Sequence, residues 1–193
     1  MCNLYTQTRS VDEVARLFRD LQMPLHFPDG LSNLEPREIA ITDPGPIVRA
    51  NDGGGFDLVV RRWSWPAPGG KPVFNFRSDG REFSSGRCLI VADGFFEFTK
   101  PEDAKAKRKH KWRFTLRGAD QFAVAGLWRT DPTVGEAWTM LTTEPGEDIK
   151  PYHNRQIVVL APDDFARWLD PAVPAAELCK PLPAGSLSAN QVC

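Results

Sequence analysis

The first strong pattern in the chain is a helical repeat of apolar residues close to the amino end. Apolar side chains recur at three- and four-residue spacing through Val11, Val14, Ala15, Phe18 and Leu21. Just ahead of them, Ser10 and Glu13 have the spacing of a capping box, in which the two side chains bind free backbone N–H groups at a helix start. The pattern predicts one amphipathic helix after a short N-terminal strand, with its apolar face packed against the rest of the protein.

From residue 47 onward the chain changes to short runs rich in β-branched and aromatic residues. The predicted strands are Ile47–Ala50, Leu58–Trp65, Cys88–Ala92, Trp112–Leu116, Phe122–Leu127, Trp138–Leu141 and Gln156–Leu160. Turn-forming segments such as Asp52–Gly55 and Gly118–Asp120 separate them. We therefore predict an α+β fold that is mainly antiparallel β, with a curled, barrel-like sheet and a few short helices.

A second short helix is predicted near the carboxyl end. Pro162 opens it, and its apolar face carries Phe165, Trp168 and Leu169. The Pro- and Ala-rich remainder, residues 170–193, shows no such pattern and is predicted to be a C-terminal tail without a core of its own. A length of 193 residues, of which 41% are hydrophobic, suits one well-packed domain and is short for two, so residues 1–193 are predicted to form a single domain.

Cysteine and histidine spacing gives no sign of a metal site. The cysteines are Cys2, Cys88, Cys179 and Cys193, and the histidines are His26, His110 and His153. No CxxC pair occurs, and no histidine stands at ligand spacing from a cysteine, so we predict no structural zinc. The chain has no secretory leader pattern and no apolar run long enough for a bilayer, which predicts a cytoplasmic protein with reduced thiols.

Cys2 follows Met1 directly. Removal of Met1 would leave one residue with a free α-amine and a thiol on neighbouring carbons, a 1,2-aminothiol. The α-amine has a pKa near ~7.7–8 against ~10.4 for lysine, so it is the better amine nucleophile at neutral pH. Such a pair can condense with an aldehyde to a thiazolidine, or its thiolate can attack an acyl group with the amine as base. A cysteine at this position is also common in chains where it has no chemical role.

Three further segments carry residues suited to chemistry. They are Val73–Ser78, which contains Asn75 and Arg77, Asp93–Phe98, which contains Glu97, and Tyr152–Arg155, which contains His153. In order and spacing, and together with Met1-Cys2, they resemble the SOS response-associated peptidase (SRAP) family, also called abasic-site processing proteins. Trp63–Pro66 resembles the tryptophan-rich segment of that family, and the resemblance spans roughly residues 1–169.

The chain departs from the family pattern in several places. Asn3–Tyr5 stands where the family commonly has Gly-Arg-Phe, which removes an arginine expected to help hold a phosphate. Ser32–Pro36 replaces the usual Tyr-Asn-x-Ala-Pro, and Gln156–Ile157 replaces Met-Pro. These differences indicate a divergent, compact branch of the family.

The resemblance implies a set of catalytic residues. By it, Cys2 is the nucleophile, Asn75 orients the sugar or the α-amine, and Glu97 assists ring closure and its reversal. His153 would protonate the ring oxygen of a closed abasic sugar, because only the open aldehyde can react with Cys2. A carboxylate between aromatic neighbours is expected to have a raised pKa, as a proton carrier requires. Without the resemblance, we would expect Glu97 on a solvent-facing edge strand, His153 in a loop and Asn75 in a turn.

Five residues are predicted to contact DNA. Arg77 and Arg155 each lie two positions after a proposed site residue, so on extended backbone they share its face and suit the flanking phosphates. Trp63 and Trp65 alternate on one predicted strand and can stack on bases. Tryptophans at alternate positions more often belong to a core, so at least one of them is expected to be structural. By the resemblance, Thr142 completes the set.

A basic run extends from Lys105 to Arg113. We predict a solvated hairpin loop there, with steering of a nucleic-acid backbone as the alternative. The net charge of the chain is -1. Any affinity for DNA must therefore come from a local patch and not from the overall field.

The sequence thus predicts an abasic-site sensor that crosslinks itself through Cys2, with no metal or organic cofactor. The peptidase label of the family fits a self-processing removal of Met1, with thiol-dependent protease, hydrolase or lyase chemistry in an SOS response to DNA damage. The expected partner is single-stranded DNA containing abasic sites, bound by a monomer. Two alternatives stay open: an N-terminal-nucleophile amidase or protease that uses the same cysteine, and a non-covalent single-stranded DNA-binding module.

Overall fold

Short strands make up most of the molecule in the computed structural model, which describes residues 2–30, 33–102 and 108–192. The strands are β1 (Leu4–Gln7), β2 (Leu25–His26), β3 (Arg37–Ala40), β4 (Pro44–Ala50), β5 (Phe56–Trp63), β6 (Trp65–Pro66), β7 (Pro72–Val73), β8 (Asn75–Arg77), β9 (Arg87–Ala92), β10 (Gly94–Thr99), β11 (His110–Leu116), β12 (Phe122–Asp131), β13 (Gly135–Thr143), β14 (Gln156–Ile157), β15 (Val159–Leu160) and β16 (Leu187–Gln191). The helices are α1 (Val11–Asp20), α2 (Phe165–Leu169), which follows a 3-10 turn at Pro162–Asp164, and α3 (Ala175–Leu178). Each predicted strand overlaps an observed one, and both predicted helices are confirmed.

Helix α1 begins at the predicted capping box. The Ser10 hydroxyl accepts a hydrogen bond from the Glu13 amide at 3.3 Å, and the Glu13 carboxylate accepts one from the Ser10 amide at 2.9 Å. Val14 and Phe18, one turn apart on the apolar face, are fully buried. Local sequence therefore fixes where this helix starts, and its apolar face fixes how it packs.

Five strands of the described residues close into a barrel. They are hydrogen-bonded in the order β5, β4, β9, β12 and β13, and each is antiparallel to the next. β13 then pairs in parallel with β5, where Ala137 lies opposite Arg62 and Trp138 lies opposite Trp63. The predicted mainly antiparallel, barrel-like α+β fold is confirmed.

A second sheet holds the start of the chain against the barrel. Its order is β16, β11, β10, β1 and β3, and β1 is antiparallel to β10 with Tyr5 opposite Phe95. The side chains of Tyr5 and Phe95 share one core with barrel residues such as Trp63 and Trp138. The strand that follows Cys2 is thereby fixed beside the strand that carries Glu97.

The opposite face of the barrel wall is covered by helices. Along β9, Ile90 belongs to the core beneath the second sheet, whereas Leu89 and Val91 belong to a second core that includes Phe18 of α1 and Trp168 of α2. This alternation is the two-residue period of a strand buried on both faces. None of the described helices is long and apolar enough to cross a bilayer.

The carboxyl end is part of the folded body. α3 buries Ala175 and Leu178, and β16 pairs with β11 so that Leu187 lies opposite Leu116. The predicted tail is ordered, and its buried apolar residues pack into the two cores of the folded body. Ala175 and Leu178 have helical spacing but span a single turn, and Leu187 is too far from them to extend the pattern, so these residues become buried only against α2 and β11.

The basic run also differs from its prediction. Residues 103–107 lie outside the described residues, and His110–Arg113 belongs to β11 and not to a loop. This stretch pairs with β10 on one side and with β16 on the other. A strand of basic residues is stable there because both of its backbone edges are hydrogen-bonded.

Buried Arg87 is expected to be a major contributor to stability. Its guanidinium donates to the carbonyl oxygens of Phe83 at 2.7 Å, Asp170 at 3.0 Å and Val173 at 2.9 Å. Substitution of Arg87 by alanine leaves these carbonyls without their donor, and we expect a loss of about 3 kcal/mol in the free energy of unfolding. Urea denaturation measures it, with exposed Arg16→Ala as the control, expected within about 0.5 kcal/mol of the unsubstituted protein. An Arg87 variant as stable as the control would contradict this role.

Candidate functional site

Cys2 lies in the core at the beginning of the second sheet. It precedes β1 by two residues, is fully buried, and its thiol donates to the Leu4 carbonyl at 3.3 Å. Burial raises the pKa of the thiol to about 12, and the negative charge of Glu97 is the next cause. The thiol is therefore protonated at neutral pH and needs a neighbouring base before it can act as a nucleophile.

Asp93 anchors the strand that follows Cys2. Its buried carboxylate accepts hydrogen bonds from the Thr6 hydroxyl at 2.5 Å, from the Thr8 amide at 2.7 Å and from the Thr8 hydroxyl. The Asp93 amide in turn donates to the Thr6 carbonyl at 3.0 Å. These bonds fix the register between the chain's start and the segment Asp93–Phe98, so Cys2 and Glu97 keep a constant relative position.

Asn75 is placed against the backbone of Cys2. β8 pairs in parallel with β13, with Asn75 opposite Met140, and the Asn75 side-chain amide donates to the Cys2 carbonyl at 2.8 Å. Its side-chain oxygen is buried and has no hydrogen-bond partner within the described part of the chain. An acceptor therefore remains available beside Cys2 for an incoming N–H or O–H group.

Glu97 is buried at the centre of β10. It lies opposite Trp112 of β11 and is only 2% exposed, so the solvent-facing alternative does not apply. Burial raises the pKa of Glu97 to about 7, while the positive charge of the α-amino group at the chain's start acts in the opposite direction. At neutral pH this carboxyl exchanges a proton readily in either direction.

The raised pKa predicts a pH-dependent stability cost at Glu97. The folded protein holds this proton more tightly than the unfolded chain, so stability falls as the pH rises from the ordinary value of 4.5 to about 7. Glu97→Gln removes the titration and should raise the free energy of unfolding by up to about 3 kcal/mol above pH 7, with a much smaller gain at pH 4. Urea denaturation at both pH values tests this, and Glu147→Gln, whose side chain is 73% exposed, is the matched control. Equal gains at both pH values would contradict it.

His153 is held at the end of a turn so that its ring can take or release a proton. The Arg155 amide donates to Nδ1 at 3.0 Å, and the Arg155 carbonyl oxygen lies 3.0 Å from the same nitrogen. The neutral ring thus accepts from the amide, and a ring protonated at Nδ1 donates to the carbonyl. Burial lowers the pKa of His153, the α-amino charge acts in the same direction, and the Arg155 backbone opposes both. The positive charge of the α-amino group therefore affects the pKa values of Cys2, Glu97 and His153 alike.

The two predicted phosphate-binding arginines differ in their surroundings. The Arg77 side chain is exposed and makes no hydrogen bond or ion pair with the rest of the described chain. The Arg155 side chain is 15% exposed and binds Asp79 through two contacts, at 3.1 and 2.6 Å. It also donates to the carbonyl and hydroxyl oxygens of Thr142 at 3.0 and 3.1 Å. Thr142 itself is buried, so it positions Arg155 and offers no surface of its own.

The tryptophan pair does not share one strand face. Ser64 has a φ of 82°, which ends β5 at Trp63 and begins a new strand at Trp65. Trp63 is fully buried, stacks on Trp138 with ring centroids 5.4 Å apart, and donates to a backbone carbonyl. The prediction that Trp63 contacts bases does not agree with this burial, and Trp63 is the structural member of the pair. Trp65 is 7% exposed, with the Arg129 guanidinium 4.4 Å from its ring centre.

The structure thus places Asn75 and Glu97 beside Cys2. The α-amino charge at the chain's start acts on Cys2, Glu97 and His153 alike, and Arg155 is hydrogen-bonded to His153. Sequence reasoning missed Asp93 as the anchor of β1 and Asp79 as the partner of Arg155. The first could have been suspected from its place at the head of the Asp-Gly motif, whereas nothing in the sequence pairs Asp79 with a residue 76 positions away. Within the described residues, no group of three or more His, Cys, Asp or Glu side chains is placed to hold a metal ion.

Comparison with known sequences places the chain in a family. The SOS response associated peptidase (SRAP) family matches it over residues 1–193, and the chain belongs to that family. Abasic site processing protein YoaM of Bacillus subtilis (strain 168) is 28% identical over 214 residues, covering 100% of this chain and 91% of YoaM. Abasic site processing protein YoqW of the same organism is 26% identical over 215 residues, covering 100% and 92%.

Solved structures share the fold. A protein from Bordetella bronchiseptica superimposes with a TM-score of 0.73 at 22% identity and full coverage of both chains. A protein from Bacteroides thetaiotaomicron superimposes with a TM-score of 0.76 at 17% identity, covering 100% of this chain and 92% of the other.

Proposed function

We propose that this protein processes abasic sites by forming a covalent thiazolidine with them in single-stranded DNA, through Cys2 once Met1 has been removed. The observation that carries the proposal is the cluster of Cys2, Asn75, Glu97 and His153, together with membership of a family whose relatives YoaM and YoqW are named abasic site processing proteins. The removal of Met1 is by Cys2 itself or by an aminopeptidase.

The first step joins the amine to the sugar. His153 protonates the ring oxygen of the closed abasic sugar while the C1 hydroxyl loses its proton to solvent, so the bond between the ring oxygen and C1 breaks and the aldehyde forms. The unprotonated Cys2 amine attacks the aldehyde carbon, and loss of one water gives the imine. Asn75 supports this step because it already binds the Cys2 carbonyl, and so fixes the amine that belongs to the same residue.

The second step closes the ring. The Cys2 thiol adds to the imine carbon, its proton passes to the Glu97 carboxylate, and a proton returns to the imine nitrogen. The thiol pKa of about 12 and the Glu97 pKa of about 7 support this order, because the thiol cannot ionise unaided and Glu97 is its charged neighbour. The same proton carrier serves the reverse reaction, in which the crosslink opens.

The high thiol pKa also weighs against the amidase alternative. A cysteine that attacks an acyl group as a thiolate normally has surroundings that lower its pKa. Burial raises the pKa of the Cys2 thiol instead. The burial of Trp63 removes part of the stacking surface on which the non-covalent alternative depends. Crosslinking is therefore the function that this geometry supports best.

The test is adduct formation by mature protein that begins at Cys2. Incubation with a single-stranded oligonucleotide containing one natural abasic site should give an adduct that survives denaturing electrophoresis without a reductant. Its mass should equal the sum of both molecules less one water. An oligonucleotide with a tetrahydrofuran in place of the sugar cannot open to an aldehyde and should give none. Absence of the adduct with the natural site, or its presence with the tetrahydrofuran, would reject the proposed function.

A further inference from the structure

The Arg155 guanidinium already holds an anion in the free protein. Its two terminal nitrogens bind the two carboxylate oxygens of Asp79, an arrangement that matches the fork-like binding of a phosphate. Its remaining nitrogen, Nε, is buried and has no hydrogen-bond partner within the described part of the chain. A backbone phosphate therefore cannot take the same two-point position on the terminal nitrogens of Arg155 until the Asp79 carboxylate leaves it.

Asp79 is suited to leave. Its side chain is 50% exposed, and ion pairs with an exposed partner contribute little to stability. It lies in a turn in which the Arg81 amide donates to the Ser78 carbonyl, so it can swing away without disturbing a strand. Arg155 stays in place meanwhile, because the two oxygens of Thr142 continue to bind it.

Arg77 provides the contrast. It is exposed, free of ion pairs in the described part of the chain, and lies opposite Thr142 on β8. Its positive charge also acts on Asp79. A phosphate bound by Arg77 would neutralise a free charge, whereas one bound by Arg155 must replace a charge that is already neutralised.

We infer that Asp79 is a specificity-determining residue whose carboxylate occupies the phosphate-binding position of Arg155 in the free protein and yields it only to the backbone of a bound strand. The inference rests on the proposed function and on the sequence prediction that Arg155 contacts the DNA backbone. Its consequence is that a strand able to place several phosphates at once displaces Asp79, whereas a small aldehyde without them leaves the Asp79–Arg155 pair intact.

The test is a double-mutant cycle on DNA affinity. The probe is a single-stranded oligonucleotide with a central tetrahydrofuran, which binds without reacting, titrated at several salt concentrations. Asp79→Asn should tighten binding by roughly three- to tenfold, because the phosphate no longer has to displace a charged carboxylate from Arg155 in a partly exposed ion pair. In an Arg155→Ala background the same change should have no effect. Arg77→Ala should reduce the slope of log K against log salt by about 0.7. Arg155→Ala should reduce this slope by clearly less in the unsubstituted protein, and by about 0.7 in the Asp79→Asn background.

Two control variants separate competition from charge and from folding. Asp52→Asn makes the same change in net charge at an exposed turn, and Asp79→Glu keeps the charge, so both should bind like the unsubstituted protein. Thermal unfolding confirms that each variant is folded. Weaker binding by Asp79→Asn would overturn the inference in favour of a purely positioning role for Asp79. Equal tightening by Asp52→Asn, or in the Arg155→Ala background, would overturn it in favour of a general charge effect. Adduct formation by the unsubstituted protein on a natural abasic site is measured in parallel. Absence of the adduct would reject the proposed function, whereas the affinities for the non-reactive probe test the inference about Asp79.

Discussion

Replacement of Cys2 by alanine is expected to abolish the stable adduct with abasic DNA. Thiazolidine closure needs the thiol and the α-amine of one residue, and alanine supplies only the amine. Any imine that forms at its amine would remain reversible and would be lost on denaturation. Cys2→Ser should leave a weaker adduct, because a hydroxyl is the poorer nucleophile but can still close on the imine carbon. Denaturing electrophoresis with a natural abasic oligonucleotide measures both variants.

A protein with an uncleavable extension before Cys2 tests whether the free α-amine is needed for crosslinking. It keeps the thiol but lacks the free α-amine, and it should form no adduct even at long times. Affinity for the non-reactive tetrahydrofuran oligonucleotide is the control, because a blocked amino end that merely obstructed DNA would weaken this binding as well. Full-rate crosslinking by the extended protein would show that the aminothiol mechanism is wrong.

His153→Ala is expected to slow adduct formation on a natural abasic site by ~10²–10⁴, the range of general acid–base catalysis. The closed sugar must be protonated at its ring oxygen before an aldehyde exists, and His153 is the side chain that the backbone of Arg155 can support in both protonation states. A simple open-chain aldehyde does not need that step, so the same variant should lose much less activity on it. Single-turnover time courses on the two substrates measure the difference.

Glu97→Gln provides the comparison for His153→Ala. It removes the proton carrier of ring closure, so it should be impaired on both the closed sugar and the open aldehyde. Any adduct that it does form should also be released more slowly to a competing abasic oligonucleotide, because one carrier serves both directions of a reversible reaction. In the unsubstituted protein, closure should speed up as the pH rises through about 7, where the Glu97 carboxyl loses its proton and becomes a base. Equal defects of both variants on both substrates would contradict this division of roles.

Much of the fold follows from patterns that are local in the sequence. The capping box at Ser10 and Glu13 sets the start of α1, and the continuous apolar run Cys88–Ala92 indicates the buried strand β9. The candidate chemistry was also predicted in this way, since Cys2, Asn75, Glu97 and His153 each stand in a short motif whose residues, order and spacing can be recognised without coordinates.

The partners of these residues depend on the tertiary structure. Alternation placed Trp63 and Trp65 on one face, but the positive φ of Ser64 breaks the strand between them, and Trp63 packs in the core. Likewise, the motif predicts that Arg155 contacts the DNA backbone. Only the parallel pairing of β8 with β13 brings the turn that contains Asp79 next to Arg155.

The burial of the carboxyl end likewise depends on contacts that form only in the folded protein. Leu178 and Leu187 lie in a Pro- and Ala-rich stretch, and no extended helical or strand period in the sequence marks them as core. They are buried because β16 pairs with the edge of β11 opposite β10, and because Leu178 packs into the core that contains Trp168 of α2. Sequence determined the elements and the chemical groups, since both depend on neighbours along the chain. Tertiary structure decided burial, ion pairing and the pKa of Glu97, because these depend on residues that are distant in sequence and adjacent only after folding.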